Sequence, residues 1–304
     1  MTTKTELLNN GVLVATKTAA PFYSWDWTPA TSGASSLTYK RYEDGVLVFT
    51  SAAITGTVDA ASTSYDVTYQ AKLDDAVTKG IPLPTTAQSD IYNQRLIDFK
   101  AAGGFAKSDV VMDWSGTADI AFKLLDIKRL VSATVVGAIT NNSTGLVGAG
   151  GIVNMNFVLS NGVNYTFGNA GIFTILNTNP VGVFATYGVI GSNNRQTSLL
   201  GNRTGTNYYG VNTLDGDGGN ENKYQKTGAN GHYRENGTEV IYKTDVTNTL
   251  SIASNAEAPN LSIHFFGENF KGTPRTFSTV EIGFVAIGAS YSAEHNAIKT
   301  ALTI

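Results

Sequence analysis

The sequence predicts a mainly β protein: a small β domain, a short helical connector, and a large antiparallel, jelly-roll-like β-sandwich closed by a C-terminal helix. Three observations carry this. Charged residues are sparse, at 15% of 304 residues, while the hydrophobic fraction of 42% is ample for a core. Glycine is abundant (32 residues), so short apolar runs are punctuated by turn formers at close intervals. Apart from a short C-terminal helix, helical periodicity is confined to one stretch, Tyr65 to Arg129, which separates two stretches that read as β. The division that follows is 1–62, 63–130 and 131–304.

The first β stretch holds two hairpins. Leu7 to Val14 and Arg41 to Phe49 each read as strand, two-residue turn, strand, with Asn10-Gly11 and Asp44-Gly45 at the turns. These pairs accept the positive φ angles of a type I′ turn. The two copies of Gly-Val-Leu-Val form a weak internal repeat, from duplication or from convergent turn chemistry. Between them Phe22 to Trp27 alternates as a strand, closed by Pro29 and Gly33.

In the connector, Tyr69, Leu73, Ala76 and Val77 line one face of a helix that Gly80 stops. Pro82 and Pro84 break the chain. Thr85 with Gln88 forms a capping box for a second helix with the stripe Ile91, Tyr92, Leu96, Phe99, ended by Gly103-Gly104. Asp109 to Trp114 and Ile120 to Lys128 then read as entry strands.

From Val131 onward the strand candidates are 150–158, 165–167, 171–176, 183–190, 196–200, 207–211, 231–234, 239–243, 261–267 and 280–288. A helix from Ser292, as N-cap, to Leu302 ends the chain.

The motifs for chemistry are few. There is no cysteine, which excludes disulfides, thiolate metal sites and thiol nucleophiles. The net charge of −3 and the absence of a Lys/Arg-rich run argue against nucleic acid. The N-terminus is polar, with no secretory h-region, and no apolar run is long enough to span a bilayer. No strand carries Glu-x-Asp-x-x-Glu, the paired-carboxylate pattern of glycoside hydrolysis. Asp109 and Asp113 read as solvated, Glu281 stands alone, and His232, His264 and His295 read as structural, with no Gly-x-Ser-x-Gly elbow nearby. These absences lead to the expectation of a non-enzyme without a cofactor. Calcium is a weak candidate through Asp215, Asp217 and Asn220 in a Gly-rich loop, but the EF-hand spacing fails and an exposed turn is the favoured reading. Sugar binding needs aromatic faces beside amides and carboxylates. Tyr208, Tyr209, Asn212, Asp215, Asp217, Asn220 and Tyr224 cluster in sequence and are the candidate ligand contacts.

Several segments carry a resemblance. Gly80 to Asp109, followed by Ala121 to Lys128, resembles a segment of bacteriophage virion proteins in which a short helix and a Lys-x-Asp strand lead into a concanavalin- or laminin-G-like sandwich. This chain has Gly104-Phe105-Ala106 where that pattern has Gly-Ile-Trp. Gly231 to Tyr242 and Phe265 to Asn269 resemble mid-sandwich strands of the concanavalin-like pattern. Phe284 to Leu302 resembles the final strand and helix, Phe-x-x-Ile-Gly-Ala, and is the most specific match. Leu7 to Trp27 is similar to the middle of bacterial Ig-like modules, without their first strands, so a partner is expected to cover an open edge. The resemblance implies a virion protein, a spike, fibre or tail-associated subunit. It would be made in the host cytoplasm without a signal peptide. Other virion proteins would hold its N-terminal part, the C-terminal sandwich would bind host surface polysaccharide, and the chain would form a homo-oligomer, a trimer first. A purely architectural capsid decoration, and a carbohydrate-active enzyme or its binding module, are the alternatives.

Overall fold

The computed structural model describes residues 2–20, 33–58, 65–178, 185–203, 206–214, 219–221, 227–235, 239–243, 247–251 and 257–302. Residues 33, 56–58, 198–203, 206–210, 213–214, 219–221, 239–243 and 247–251 are described by backbone alone. The chain forms two compact units, Met1–Tyr65 and Asp66–Ile304. The helical stretch from Asp66 onward groups with the larger unit.

The smaller unit is one five-stranded antiparallel sheet. Strand Gly33–Glu43 lies at its centre and pairs Thr3–Asn9 on one side, and Val46–Thr50 and Ile54–Val58 on the other; Val12–Lys17 flanks Thr3–Asn9. Both expected turns are present: Asn10 and Gly11 have φ of 49° and 81°, Asp44 and Gly45 of 45° and 85°. Among the described residues these five strands form a single layer. Phe22 to Trp27 lies outside the described residues. All five side chains of Val46–Thr50 are exposed.

The larger unit is a sandwich with a helical cover. Its nine-stranded sheet runs Gly219–Glu221, Thr206–Leu214, Arg195–Arg203, Ala185–Ile190, Ser262–Phe265, Ile152–Val158, Thr134–Val136, with Glu268–Phe270 and Thr273–Arg275 attached beside Ala185–Ile190. Its eight-stranded sheet runs Thr247–Ser251, Glu239–Lys243, Gly228–Glu235, Ala170–Leu176, Glu281–Gly288, Leu146–Gly148, Ile139–Asn141, with Ser108–Asp113 paired to Glu281–Gly288. Pairing is antiparallel except between Ala185–Ile190 and Glu268–Phe270. Ile172, Ile282 and Ile287 of the eight-stranded sheet share one apolar core with Val153, Val189 and Phe265 of the nine-stranded sheet.

The outer face of the eight-stranded sheet is buried as well. Helix Thr86–Ala101 lays Phe99 edge-on against Phe284 of the strand, 5.2 Å between ring centres. Helix His295–Leu302 sets His295 against Phe173, 5.5 Å apart. Burial on both faces explains why Glu281–Gly288, read Glu-Ile-Gly-Phe-Val-Ala-Ile-Gly, is nearly all apolar and wholly buried. Helix Val67–Thr78 starts at the Asp66 cap and ends before Gly80, and Thr85 caps the next helix by accepting from the Gln88 N–H.

Four local expectations change. Ile120 to Lys128 is a one-turn helix, Ile120–Lys123, and a turn, because Asp119 caps the Ala121 N–H. Tyr165 to Phe167 is loop. The terminal helix starts at His295 rather than after Ser292. Asp109 and Asp113 are not solvated. Asp109 is 8% exposed and accepts the backbone N–H groups of Val163, Asn164 and Tyr165, and Asp113 pairs with Arg95 at 3.0 Å. No described helix is long and apolar enough to cross a membrane.

Candidate functional site

An open groove of about 560 Å³ lies at the rim of the sandwich, among loops 159–169, 191–194 and 257–261. Its volume falls in the range of small-ligand sites. Each loop is held by local chemistry. Strand Ile152–Val158 ends in a single 3-10 turn, Leu159–Asn161. The chain beyond is gathered by the Asp109 carboxylate, whose shortest contact is the Tyr165 N–H at 2.7 Å. Loop 191–194 joins adjacent strands and turns at Asn194, whose φ is 54°. It is tied to the third loop by two amides: Asn193 Nδ2 donates to the Ala258 carbonyl at 3.0 Å and Asn260 Nδ2 to Ser192 Oγ at 2.9 Å.

Tyr165, Phe167, Asn193, Glu257 and Asn260 are the side chains that give this groove chemistry. Phe167 is half-buried, with the Arg234 guanidinium 4.7 Å from its ring centre. Arg234 is fully buried and donates to the carbonyls of Val211 and Asn212 at 2.9 and 2.7 Å. Burial pulls its guanidinium below the ordinary value, against the opposing influence of Tyr165. Tyr165 donates to Asn212 Oδ1 at 2.8 Å, and burial pushes its hydroxyl up, so it stays protonated. One aromatic face, two side-chain amides and one exposed carboxylate are the groups that hold a sugar ring and its hydroxyls.

Of the candidate ligand contacts, the structure places Asn212 beneath this groove rather than on its surface. Asn212 is fully buried at φ of 54°, and its Nδ2 donates to the carbonyls of Thr166 and Phe167 at 3.3 and 3.2 Å. It positions the loop. Tyr208 and Tyr209 sit in strand Thr206–Leu214, opposite Leu200 and Leu199, and Asn220 lies opposite Tyr208. Their side chains lie outside the described residues, as do Asp215, Asp217 and Tyr224 entirely. Among the described residues no group of acidic and histidine side chains could hold a metal ion. The groove residues Phe167, Glu257, Asn193 and Asn260 escaped the sequence reading. They come from three loops far apart in the chain, and turn signals such as Asn161-Gly162 mark a loop without showing which other loops it meets.

The histidines are buried. His232 is pulled down to about 3 and His264 to about 4, both by burial, so each is neutral. Tyr187 and Tyr233 meet the Nδ1 atoms of His232 and His295.

The two packed sheets and their shared core define a β-sandwich protein with a helical cover on one sheet. No protein-family model matches the sequence, and no curated protein matches it. Among solved structures the chain is similar to a mutant of Trypanosoma rangeli sialidase displaying trans-sialidase activity. That match has 11% identity, a TM-score of 0.44, and 90% coverage of this chain against 43% of the sialidase. It is similar to domain 4 of an extracellular arabinanase from Geobacillus stearothermophilus, solved with arabinotriose, at 12% identity and TM-score 0.43, covering 64% and 98%. It is also similar to the binding domain of botulinum neurotoxin serotype D, at 12% identity and TM-score 0.41, covering 63% and 51%. This chain spans about half or less of the sialidase and toxin chains. All three scores are below 0.5, and the fold assignment rests on the sheets and core above. The expectation of a non-enzyme is withdrawn, because the missing single-strand carboxylate pattern excludes one arrangement of acids and no more.

Proposed function

We propose that this chain is a virion protein, a spike, fibre or tail-associated subunit, that binds host surface glycan through the larger unit and attaches to the particle through the smaller one. The observation that carries the glycan reading is the rim groove, which sets Phe167 beside Asn193, Asn260 and Glu257. The virion reading, and with it the location in the particle, is supported by the resemblance of Gly80 to Asp109 and of Phe284 to Leu302 to phage proteins. Attachment through the smaller unit is supported by strand Val46–Thr50, which exposes Val46, Leu47, Val48 and Phe49 at a sheet edge among the described residues. A homo-oligomer, a trimer first, belongs to the same reading.

The test is binding of the full chain to isolated host surface polysaccharide, with Phe167→Ala and Glu257→Gln alongside. Loss of the stacking face lowers affinity by about tenfold, on the order of 1–1.5 kcal/mol. The polysaccharide is sized after incubation, because shortening would make the protein a carbohydrate-active enzyme. Unchanged binding by both variants would remove the groove from the function. No binding, with the chain still incorporated into particles, would leave an architectural decoration.

A further inference from the structure

The smaller unit carries its apolar side chains on the outside. Among the described residues it buries one large apolar side chain, Leu7, while Val12, Leu13, Val46, Leu47, Val48 and Phe49 are between 47% and 67% exposed. These six lie on its two outer strands, Val12–Lys17 and Val46–Thr50. A small single-layered sheet with so little buried is stabilised by association.

The two outer strands match each other. Each follows a turn glycine and reads Gly-Val-Leu-Val-x-Thr, at 11–16 and at 45–50. The strands Val12–Lys17, Thr3–Asn9, Gly33–Glu43 and Val46–Thr50 are antiparallel in that order, so the outer two point in opposite directions. Side by side from two copies in the same orientation, they make an antiparallel pair.

Their faces agree as well. Val12 and Ala15 lie opposite Asn9 and Leu7. Val46 and Phe49 lie opposite Glu43 and Arg41, which in turn lie opposite Thr3 and Thr5. Thr3, Thr5, Leu7 and Asn9 alternate along one strand and share a face, so Val12, Ala15, Val46 and Phe49 share it too. A register with Val12 of one copy opposite Phe49 of the next sets Ala15 opposite Val46 and Lys17 opposite Asp44. The result is an apolar row ended by a pair of opposite charges. Pairing of Val46–Thr50 with itself about a two-fold axis would leave Val12 and Leu13 exposed. Head-to-tail pairing covers both edges with one kind of contact, and contacts of that kind close into rings.

We infer that neighbouring copies of this chain join head to tail, strand Val12–Lys17 of one extending the sheet at strand Val46–Thr50 of the next. The inference rests on the homo-oligomer of the reading above. It gives the apolar edge to a second copy, and the joined sheets, rather than the single strand, then meet the particle.

The chain has no cysteine, so introduced ones report cleanly. Val12→Cys and Phe49→Cys in one chain stand on opposite edges, three strand spacings or about 14 Å apart, too far for a disulfide within that chain. Oxidised at micromolar concentration, the full chain carrying both runs on a non-reducing gel as a ladder. It ends at the size that light scattering gives for the native oligomer, three copies on the reading above. Either cysteine alone leaves single chains. Ala15→Cys with Val46→Cys, in the same row, repeats the test with a second disulfide geometry. Val12→Lys, at an exposed position, raises the concentration at which the oligomer dissociates by about tenfold while the thermal melt reports an intact fold. A monomeric native chain would overturn both the oligomer and this pairing. An oligomer in which neither double variant cross-links, or in which Phe49→Cys alone yields dimers, would overturn the pairing and leave the oligomer standing.

Discussion

Lys72 carries its ammonium group into a small cavity walled by Tyr69, Tyr92, Phe99 and Phe284, 4.4 Å from the Phe122 ring centre. Burial is the dominant influence and lowers its pKa from 10.5 to about 8, although the charges of Asp113 and Asp126 pull the other way. The sign of the stability effect follows. Below pH 8 the lysine is charged in both folded and unfolded chains, and the burial penalty is fully present. Between about 8 and 10.5 the unfolded chain holds the proton and the folded one does not, so stability rises with pH. The expected gain is at most about 3 kcal/mol across that window. Lys72→Met should remove this part of the slope in urea unfolding measured at pH 7 and pH 10; an unchanged slope would assign the effect elsewhere. At this scale the sequence was partly legible. Tyr69, Leu73 and Ala76 are buried as their spacing implies, while Val77, at the edge of the same stripe, is exposed. Asn212 has the chemistry of a ligand contact, but its partners come from Thr197 and from Tyr165 to Phe167. No local pattern reports such a long-range engagement.

The elements that came through from sequence are those whose determinants are local. Positive φ at Asn10-Gly11 and Asp44-Gly45, the Thr85 cap and the Gly80 stop each involve a few neighbouring residues. Ile120 to Lys128 misled because its apolar pattern suits a strand, while the Asp119 cap and the packing of Phe122 against Tyr92 hold a helical turn. Strand pairing can be tested at this scale. A Cβ at Gly288 would collide with the Lys107 carbonyl, where the strands Glu281–Gly288 and Ser108–Asp113 converge. Gly288→Ala should destabilise the larger unit by about 1–3 kcal/mol, read as a lower denaturant midpoint with an unchanged slope. Wild-type stability would mean that these strand ends are free to part.

For the whole molecule the consequential fact is that the segment before Val131 is structural. Val110, Met112 and Trp114 belong to the sandwich core, and Ser108–Asp113 pairs with the buried strand Glu281–Gly288. An Asp66–Ile304 fragment should unfold cooperatively, as a unit with its own core. A Val131–Ile304 fragment should fail to, because it exposes an apolar strand edge and the outer face of the eight-stranded sheet. Circular dichroism and thermal melts of the two fragments decide this, and a cooperative melt of the shorter one would restore the helical segment to a connector.

Sequence alone determined the β class of the chain, its hairpin turns, the Thr85 cap and Gly80 stop of its first two helices, and the position of its last buried strand. Each of these depends on backbone conformation or on apolar periodicity within about ten residues. The tertiary structure alone decided that the helices cover a sheet, that Asp109 and Asn212 hold a loop, and that residues from three loops share one groove. Those arrangements depend on contacts between residues some 50 or more apart, such as Asp109 with Tyr165 and Asn193 with Ala258. The free energy of such contacts comes from burial and from hydrogen bonds closed by the fold, and it leaves no periodic trace along the chain.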